Sequence, residues 1–153
     1  LHQNAATRMS ARIICLIVGL AVPAIAGTAL AAGEGEQAAI CAEAQARFES
    51  YKDLPADEAL PPPKPGTVHI LMLNHTFCPP QLNVAKGTTV RFVNVEKRTS
   101  HSVWFKEAGR AESERLFPVE FWEETFTQPG RYPYLCGPHW QSNNMKGVIE
   151  VTP

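Results

Sequence analysis

The sequence predicts an all-β domain of sandwich or barrel type, preceded by a short helical extension. Three observations lead there. From Thr67 onward the hydrophobic period is two, and seven short runs rich in β-branched and aromatic residues fit into fewer than ninety positions. Turn chemistry rather than helix separates them, at Lys86-Gly87, at Pro129-Gly130 and in Asn-rich segments. Many short strands with no intervening helices indicate an antiparallel sandwich or barrel.

The N-terminus reads as an address. Residues 1–8 resemble a tag or upstream sequence. After Met9 come Arg12 and then "IICLIVGLAVPAIAGTALAAGEGE", a short positive region, an apolar stretch and a small-residue ending near Ala31. The rival reading is a single membrane anchor, because the apolar run is nearly long enough to span. Pro23, the glycines and the terminal alanine cluster favour a cleaved signal peptide instead. Cys15 lies too near the start of the apolar run for a lipoprotein signal and is expected to leave with it. The mature chain then begins near Ala32 and is periplasmic or otherwise exported, in an oxidising compartment and without stable membrane insertion.

"EQAAICAEAQARFESYK" (36–52) places Ile40, Ala44, Phe48 and Tyr51 at steps of four, four and three among good helix formers, which predicts a helix with one apolar face. "DLPADEALPPPKPG" then sets five prolines in the eleven positions from Pro55 to Pro65, which predicts a stiff, extended spacer. The layout is therefore leader 1–31, helical extension and linker 32–66, and β domain 67–153. The expected strands are "TVHILML", "QLNVAK", "TTVRFVNV", "HSVWFK", "EFWEETFT", "RYPYLC" and "KGVIEVT".

Composition excludes some function classes. The 153 residues are 44% hydrophobic and 19% charged, enough for a packed core, with a formal net charge of -1. Losing Arg8 and Arg12 with the leader leaves 12 basic against 15 acidic residues, or about -3. No basic run appears, which argues against a nucleic-acid partner. A phosphate-binding loop, a Ser-His-Asp set and a haem-type Cys-x-x-Cys-His motif are also missing from the sequence.

The chemistry concentrates in "YLCGPHWQSNNMKG". Cys136 ends a predicted strand, Gly137-Pro138 turns the chain, and His139 follows three residues later, so a thiolate and an imidazole can face one centre. His101, opening "HSVWF" after a polar loop, is the best third donor, and Met145 offers a soft fourth. Singly, each residue is more often core or hydrogen-bonded than metallated. Together they match a blue-copper set of two imidazoles, one thiolate and a distant thioether. Zinc is the chemical alternative, although it prefers four strong ligands and rarely uses Met.

From about Asn74 to Val151 the chain resembles the cupredoxins, the type 1 blue copper proteins, and especially their plastocyanin, pseudoazurin and amicyanin branch. The resemblance rests on "FCPPQLNVAKGTTVRFVN", "HSVWF", "FTQPGRYPYLCGPH" and "MKGVIEV". It implies a Greek-key sandwich holding one copper ion, Cu(I) or Cu(II), on His101, Cys136, His139 and Met145. It also implies that Asn94 hydrogen-bonds across to the Cys136 loop. Five residues separate His139 from Met145, where the relatives have four or fewer. The extra one, within "WQSNN", bears on the Met145–metal distance and on the colour of the centre.

Other residues carry weaker expectations. His69, in a strand, reads as structural or solvent-facing, and His75 as a neighbour of the site. Cys41 and Cys78 lie outside the ligand set, and in an oxidising compartment two such thiols favour a bridge that staples the helix to the sandwich. Two buried free thiols or an intermolecular link are the alternatives. Trp140, with Pro138, is expected to form an apolar docking patch around the exposed edge of His139, the electron port. Its other reading is core packing, which is the expectation for Trp104 and Trp122.

One copper with four protein ligands leaves no open position for a substrate, so catalysis is not expected. A binuclear centre would want two Cys on the ligand loop, and multicopper oxidases use His-Cys-His runs. The expectation is an exported one-electron carrier between redox proteins such as a dehydrogenase, a cytochrome or an oxidase. A trafficking or resistance protein and a copper subunit of a larger redox complex are the alternatives.

Overall fold

The structure, a computed structural model, describes residues 26–153. The expected leader through residue 25, Cys15 included, lies outside the described residues. Among the described residues no helix is long and apolar enough to cross a membrane.

Helix α1 (Ala26–Ser50) ends in a 3-10 turn at Tyr51–Asp53. Seven strands follow: β1 (Val68–Leu73), β2 (Thr76–Cys78), β3 (Gln81–Ala85), β4 (Thr88–Asn94), β5 (Phe121–Phe126), β6 (Gly130–Leu135) and β7 (Lys146–Thr152). They form two sheets, ordered β2-β1-β4-β5 and β3-β7-β6, packed as a Greek-key sandwich. The pairing is mixed rather than purely antiparallel, because β1 runs parallel to β4 and β3 parallel to β7. The reason is connectivity. β3 belongs to the second sheet, so the chain re-enters the first sheet at β4 alongside β1.

Two expectations about strands change. "HSVWFK" is no strand, since only His101 and Trp104 make isolated bridges, to Leu116 and to Leu135. The segment passes from one partner to another, so its alternating pattern never builds a ladder. Conversely, β2 was not foreseen. It has three residues, follows a tight turn in which Asn74 and His75 have φ of 46° and 56°, and stops at Pro79. Both turn residues at positive φ suit a two-residue hairpin connection.

The first sheet is buried on both faces. Ile70, Met72, Val90 and Phe92 point into the core between the sheets, with Phe77, Phe105, Phe126, Tyr134 and Ile149. Leu71, Leu73, Val93 and Val95 point outward, where Ile40, Ala44 and Phe48 of α1, and Tyr51 just beyond it, cover them. The helical spacing read from the sequence is thus the face that packs. A disulfide between Cys41 and Cys78 fixes α1 to β2.

The proline-rich stretch has no regular structure, yet it lies along the sheet. Leu60 joins the cluster beneath α1, and the Pro61 carbonyl accepts from the Arg91 guanidinium at 2.6 Å. Arg91, 4% exposed, also donates to Glu123 at 2.6 Å and stacks 4.1 Å over Phe121. That satisfaction is what makes a buried guanidinium tolerable. His69 lies on this outer face, its ring 4.9 Å from Phe48, a structural position away from the other histidines.

Candidate metal centre

Three segments converge at one pole of the sandwich. The first is the loop after β4, held by Asn94. Its side-chain amide donates to the carbonyls of Thr99 and Leu116, both at 2.8 Å, and its oxygen accepts from the Glu96 amide at 2.9 Å. The expected bond from Asn94 to the Cys136 loop is not what forms. Asn94 instead braces the loop that delivers His101, since Leu116 is also the bridge partner of His101. The link to the Cys136 loop comes from Ser102, next in sequence to His101. Its amide donates to Cys136 Sγ at 3.4 Å, and its hydroxyl accepts from the Gly137 amide at 2.9 Å.

The second segment is the loop from Cys136 to Met145. The amides of His139 and Trp140 bond to the Cys136 carbonyl, and that of Asn143 to the His139 carbonyl, winding the chain into helical turns. Asn144 then takes φ 56° and reverses it. Met145 is tied at both backbone ends. Its amide donates to the His139 carbonyl at 3.3 Å, and its carbonyl accepts from the Cys136 amide at 3.1 Å. The loop of five residues between His139 and Met145 thus returns Met145, fully buried, to the Cys136 backbone.

The third segment is the β1–β2 turn. The His75 ring packs against His139 at 4.5 Å and lies 6.2 Å from His101. A neighbour of the site is what the sequence suggested for it. The Asn74 amide donates to the Glu96 carboxylate at 2.6 Å, and the same carboxylate oxygen sits 3.5 Å from Nε2 of His101.

At the centre, His101 and His139 turn Nδ1 toward Cys136 Sγ, at 3.6 and 3.4 Å, and the two Nδ1 atoms are 3.2 Å apart. These three side chains can hold one metal ion. The donor triangle is nearly equilateral, and its centre is about 2 Å from each corner, an ordinary metal–imidazole bond length. His101 and Cys136 are fully buried and His139 is half-buried, so a single edge of the site meets solvent.

The electrostatics suit a cation. Burial is the main force lowering the pKa of His101 to about 3, helped by His139, His75 and Arg115. Burial likewise lowers His139, with His75 and Arg115 adding to it. Both imidazoles are therefore neutral at pH 7, with lone pairs free to donate. Burial pushes the Cys136 thiol up, against the opposing bonds from Ser102. A metal would have to displace that proton.

Of the residues expected at the site, His101, Cys136 and His139 come together through their side chains, and Met145 through its backbone. Pro138 and Trp140 flank His139. Trp140 is half-buried, and its ring lies 4.4 Å beneath the Lys106 ammonium, which also sits 5.0 Å from Trp104. Trp104 is itself half-buried, its indole N–H donating to the Arg110 carbonyl, whereas Trp122 packs on the core. Ser102, Glu96 and Glu112 were not foreseen, and only Ser102 carried a sequence signal, its adjacency to His101.

Comparison with known proteins follows the geometry. The sequence profile of the copper binding proteins, plastocyanin/azurin family, matches residues 70–152. Amicyanin-alpha of Methylorubrum extorquens is 27% identical over 127 residues, which cover 80% of this chain and 96% of that protein. Among solved structures, an oxidised amicyanin variant superposes with a TM-score of 0.52 at 25% identity, covering 59% of this chain and 86% of the other. A Cu(I) form of another amicyanin variant gives 0.52 at 26% identity, covering 58% and 85%.

Proposed function

Because the chain belongs to the plastocyanin/azurin family of copper-binding proteins, we propose that it is an exported, mononuclear type 1 copper protein carrying one electron at a time between redox partners. In this reading His101, Cys136 and His139 would hold the copper, with Met145 as a softer fourth donor. The observation that carries it is the converging triangle of two Nδ1 atoms and one Sγ, with sides of 3.2–3.6 Å, in a pocket buried on all but one edge. Copper bound there would supply a one-electron couple, the thiolate and thioether favouring Cu(I) and the imidazoles tolerating Cu(II).

The chain's own residues serve that role by staying still. Asn94 and Leu116 fix His101, Glu96 faces its Nε2, and Ser102 fixes the Cys136–Gly137 peptide. Donors held by such bonds keep one arrangement through a change of charge, which keeps reorganisation small. The buried donors leave no open face for a substrate, which favours a carrier over an enzyme. The helical extension with its linker (32–66) and the domain from 67 are part of the same proposal, as is export behind a cleaved leader.

The half-buried edge of His139, flanked by Pro138 and Trp140, is the proposed port for the electron. Trp140, next in sequence to His139, also lines a groove of about 760 Å³ with Lys106, Arg131 and Lys146, Glu107 the one acid, and Pro133 and Leu135. Arg131 is paired with Glu150, which leaves Lys106 and Lys146 against Glu107, and this excess of positive charge favours an acidic surface on the donor or acceptor, such as a dehydrogenase or a cytochrome.

The test is a redox titration of the copper-loaded full chain. An intense visible thiolate-to-Cu(II) absorption should bleach with one electron per protein and return on reoxidation. Copper retained only as colourless Cu(I), with no reversible couple, would favour the trafficking reading instead. Co-elution with a redox enzyme would favour a subunit of a larger complex.

A further inference from the structure

We propose that Glu112 is a positioning residue for the Cys136 sulfur, acting through Ser102, and that residue 137 is glycine because the Glu112 carboxylate occupies the space of its side chain. The first half of this proposal rests on Cys136 being the copper-binding thiolate.

Ser102 is fully buried and turns its amide and its hydroxyl toward this end of the site. Its amide points at Cys136 Sγ, and its hydroxyl accepts from the Gly137 amide. That hydroxyl has one proton, and Glu112 Oε1 takes it at 2.6 Å. The carboxylate thereby fixes the direction of the O–H. A hydroxyl that gives its proton to a carboxylate leaves its lone pairs for an incoming N–H, here that of Gly137, and such a charge-assisted bond is stronger than a neutral one. Without Glu112 the hydroxyl is free to turn, and the Gly137 amide loses the fixed acceptor that ties the Cys136 loop to Ser102.

Gly137 supplies the second observation. It is not among the glycines with positive φ, so its backbone does not call for glycine. What opposes a side chain there is the Glu112 carboxylate. A methyl group built at Gly137 would meet its three terminal atoms, so the exposed Glu112 side chain would have to swing away and give up its bond to Ser102. Glu112 is itself held from the next residue, because the Ser113 amide donates to the Val103 carbonyl and its hydroxyl accepts from the Val103 amide, both at 2.9 Å. Among the described residues Glu112 forms no ion pair, and its one side-chain hydrogen bond is the one to Ser102. Its carboxylate therefore packs against the ligand loop and is tied to it rather than serving a surface pair.

The experiment is a double-mutant cycle with two readouts. In the copper-free chain, Gly137→Ala should lower the thermal midpoint, and most of that loss should vanish when Glu112→Ala is added. Equal losses in both backgrounds would overturn the steric half. In the copper-loaded chain, Glu112→Ala should shift the thiolate-to-Cu(II) band and the copper hyperfine splitting. Glu112→Gln, which keeps an acceptor for the Ser102 hydroxyl, should stay close to the parent. A parent-like Glu112→Ala spectrum, or a Glu112→Gln spectrum displaced as far as that of Glu112→Ala, would overturn the positioning half. A parent protein with no such band would instead remove the copper assignment, while the copper-free cycle would still decide the contact between 112 and 137.

Discussion

His101 sits where an imidazole has little choice of charge. Burial, then the neighbouring His139, His75 and Arg115, bring its pKa from 6.5 to about 3. Between those values the unfolded chain binds a proton that the native one refuses. The stability this contributes is whole above pH 6.5 and is lost as pH falls toward 3. Thermal midpoints of the copper-free protein should drop on acidification through that window, and His101→Asn should flatten the profile. An unchanged slope in the variant would contradict the burial account. The Cys136 thiol is displaced the other way, upward, chiefly by burial. Copper uptake near pH 7 should therefore release about one proton per ion from the thiol, measured with a pH indicator, and Cys136→Ala should abolish the release. Cys136 and His139 were legible because Cys-x-x-His on one loop is a local pattern, and His101 only as the residue that opens "HSVWF" after a polar loop. Glu112 and Glu96 were not. Their roles depend on contacts across loops, Glu112 to Ser102 and Glu96 to the Asn74 turn, and no spacing encodes those.

The elements show where periodicity informs and where it misleads. Strands that pair along their whole length, such as β4 and β7, have the pattern the sequence suggested, and so does the covering face of α1. The segment 101–105 has a strand's alternation but changes partner between His101 and Trp104, and alternation cannot report that. β2 is too short to show a period at all. The disulfide is the strongest tie between α1 and the sandwich, closing a loop of sequence separation 37. Replacing Cys41 and Cys78 together by Ser should cost about 2–4 kcal/mol, chiefly by releasing the unfolded chain. Denaturant midpoints would measure it. Because α1 packs on the outer face of the first sheet, the visible spectrum of the copper form should stay unchanged, and a shifted spectrum would mean that the helix braces the metal pole as well.

Taken as one body, the molecule is a sandwich whose first sheet is covered twice, by the second sheet and by α1. The donors at its pole are thus mounted on a core of interlocked aromatic rings, with Phe92 and Tyr134 5.2 Å apart at its middle. The charge is unevenly spread. The expected mature chain is net acidic, yet the groove lined by Trp140 carries Lys106 and Lys146, and Arg131 paired with Glu150. Electron transfer to an acidic partner should slow as salt rises, and Lys106→Glu should slow it further and weaken the salt dependence. Rates measured across ionic strength would check this, with a flat profile counting against the groove. Overall sheet content was readable from composition and turns. The parallel pairings were not, since they follow from which sheet each strand enters rather than from any strand's own residues.

The most direct test of the central claim is X-ray absorption at the copper edge of the loaded full chain, read for its nearest atoms. The account predicts two imidazole nitrogens and one short sulfur, with the sulfur lost in Cys136→Ala and one nitrogen lost in His101→Ala. A nearest shell without sulfur, or one that Cys136→Ala leaves intact, would contradict it.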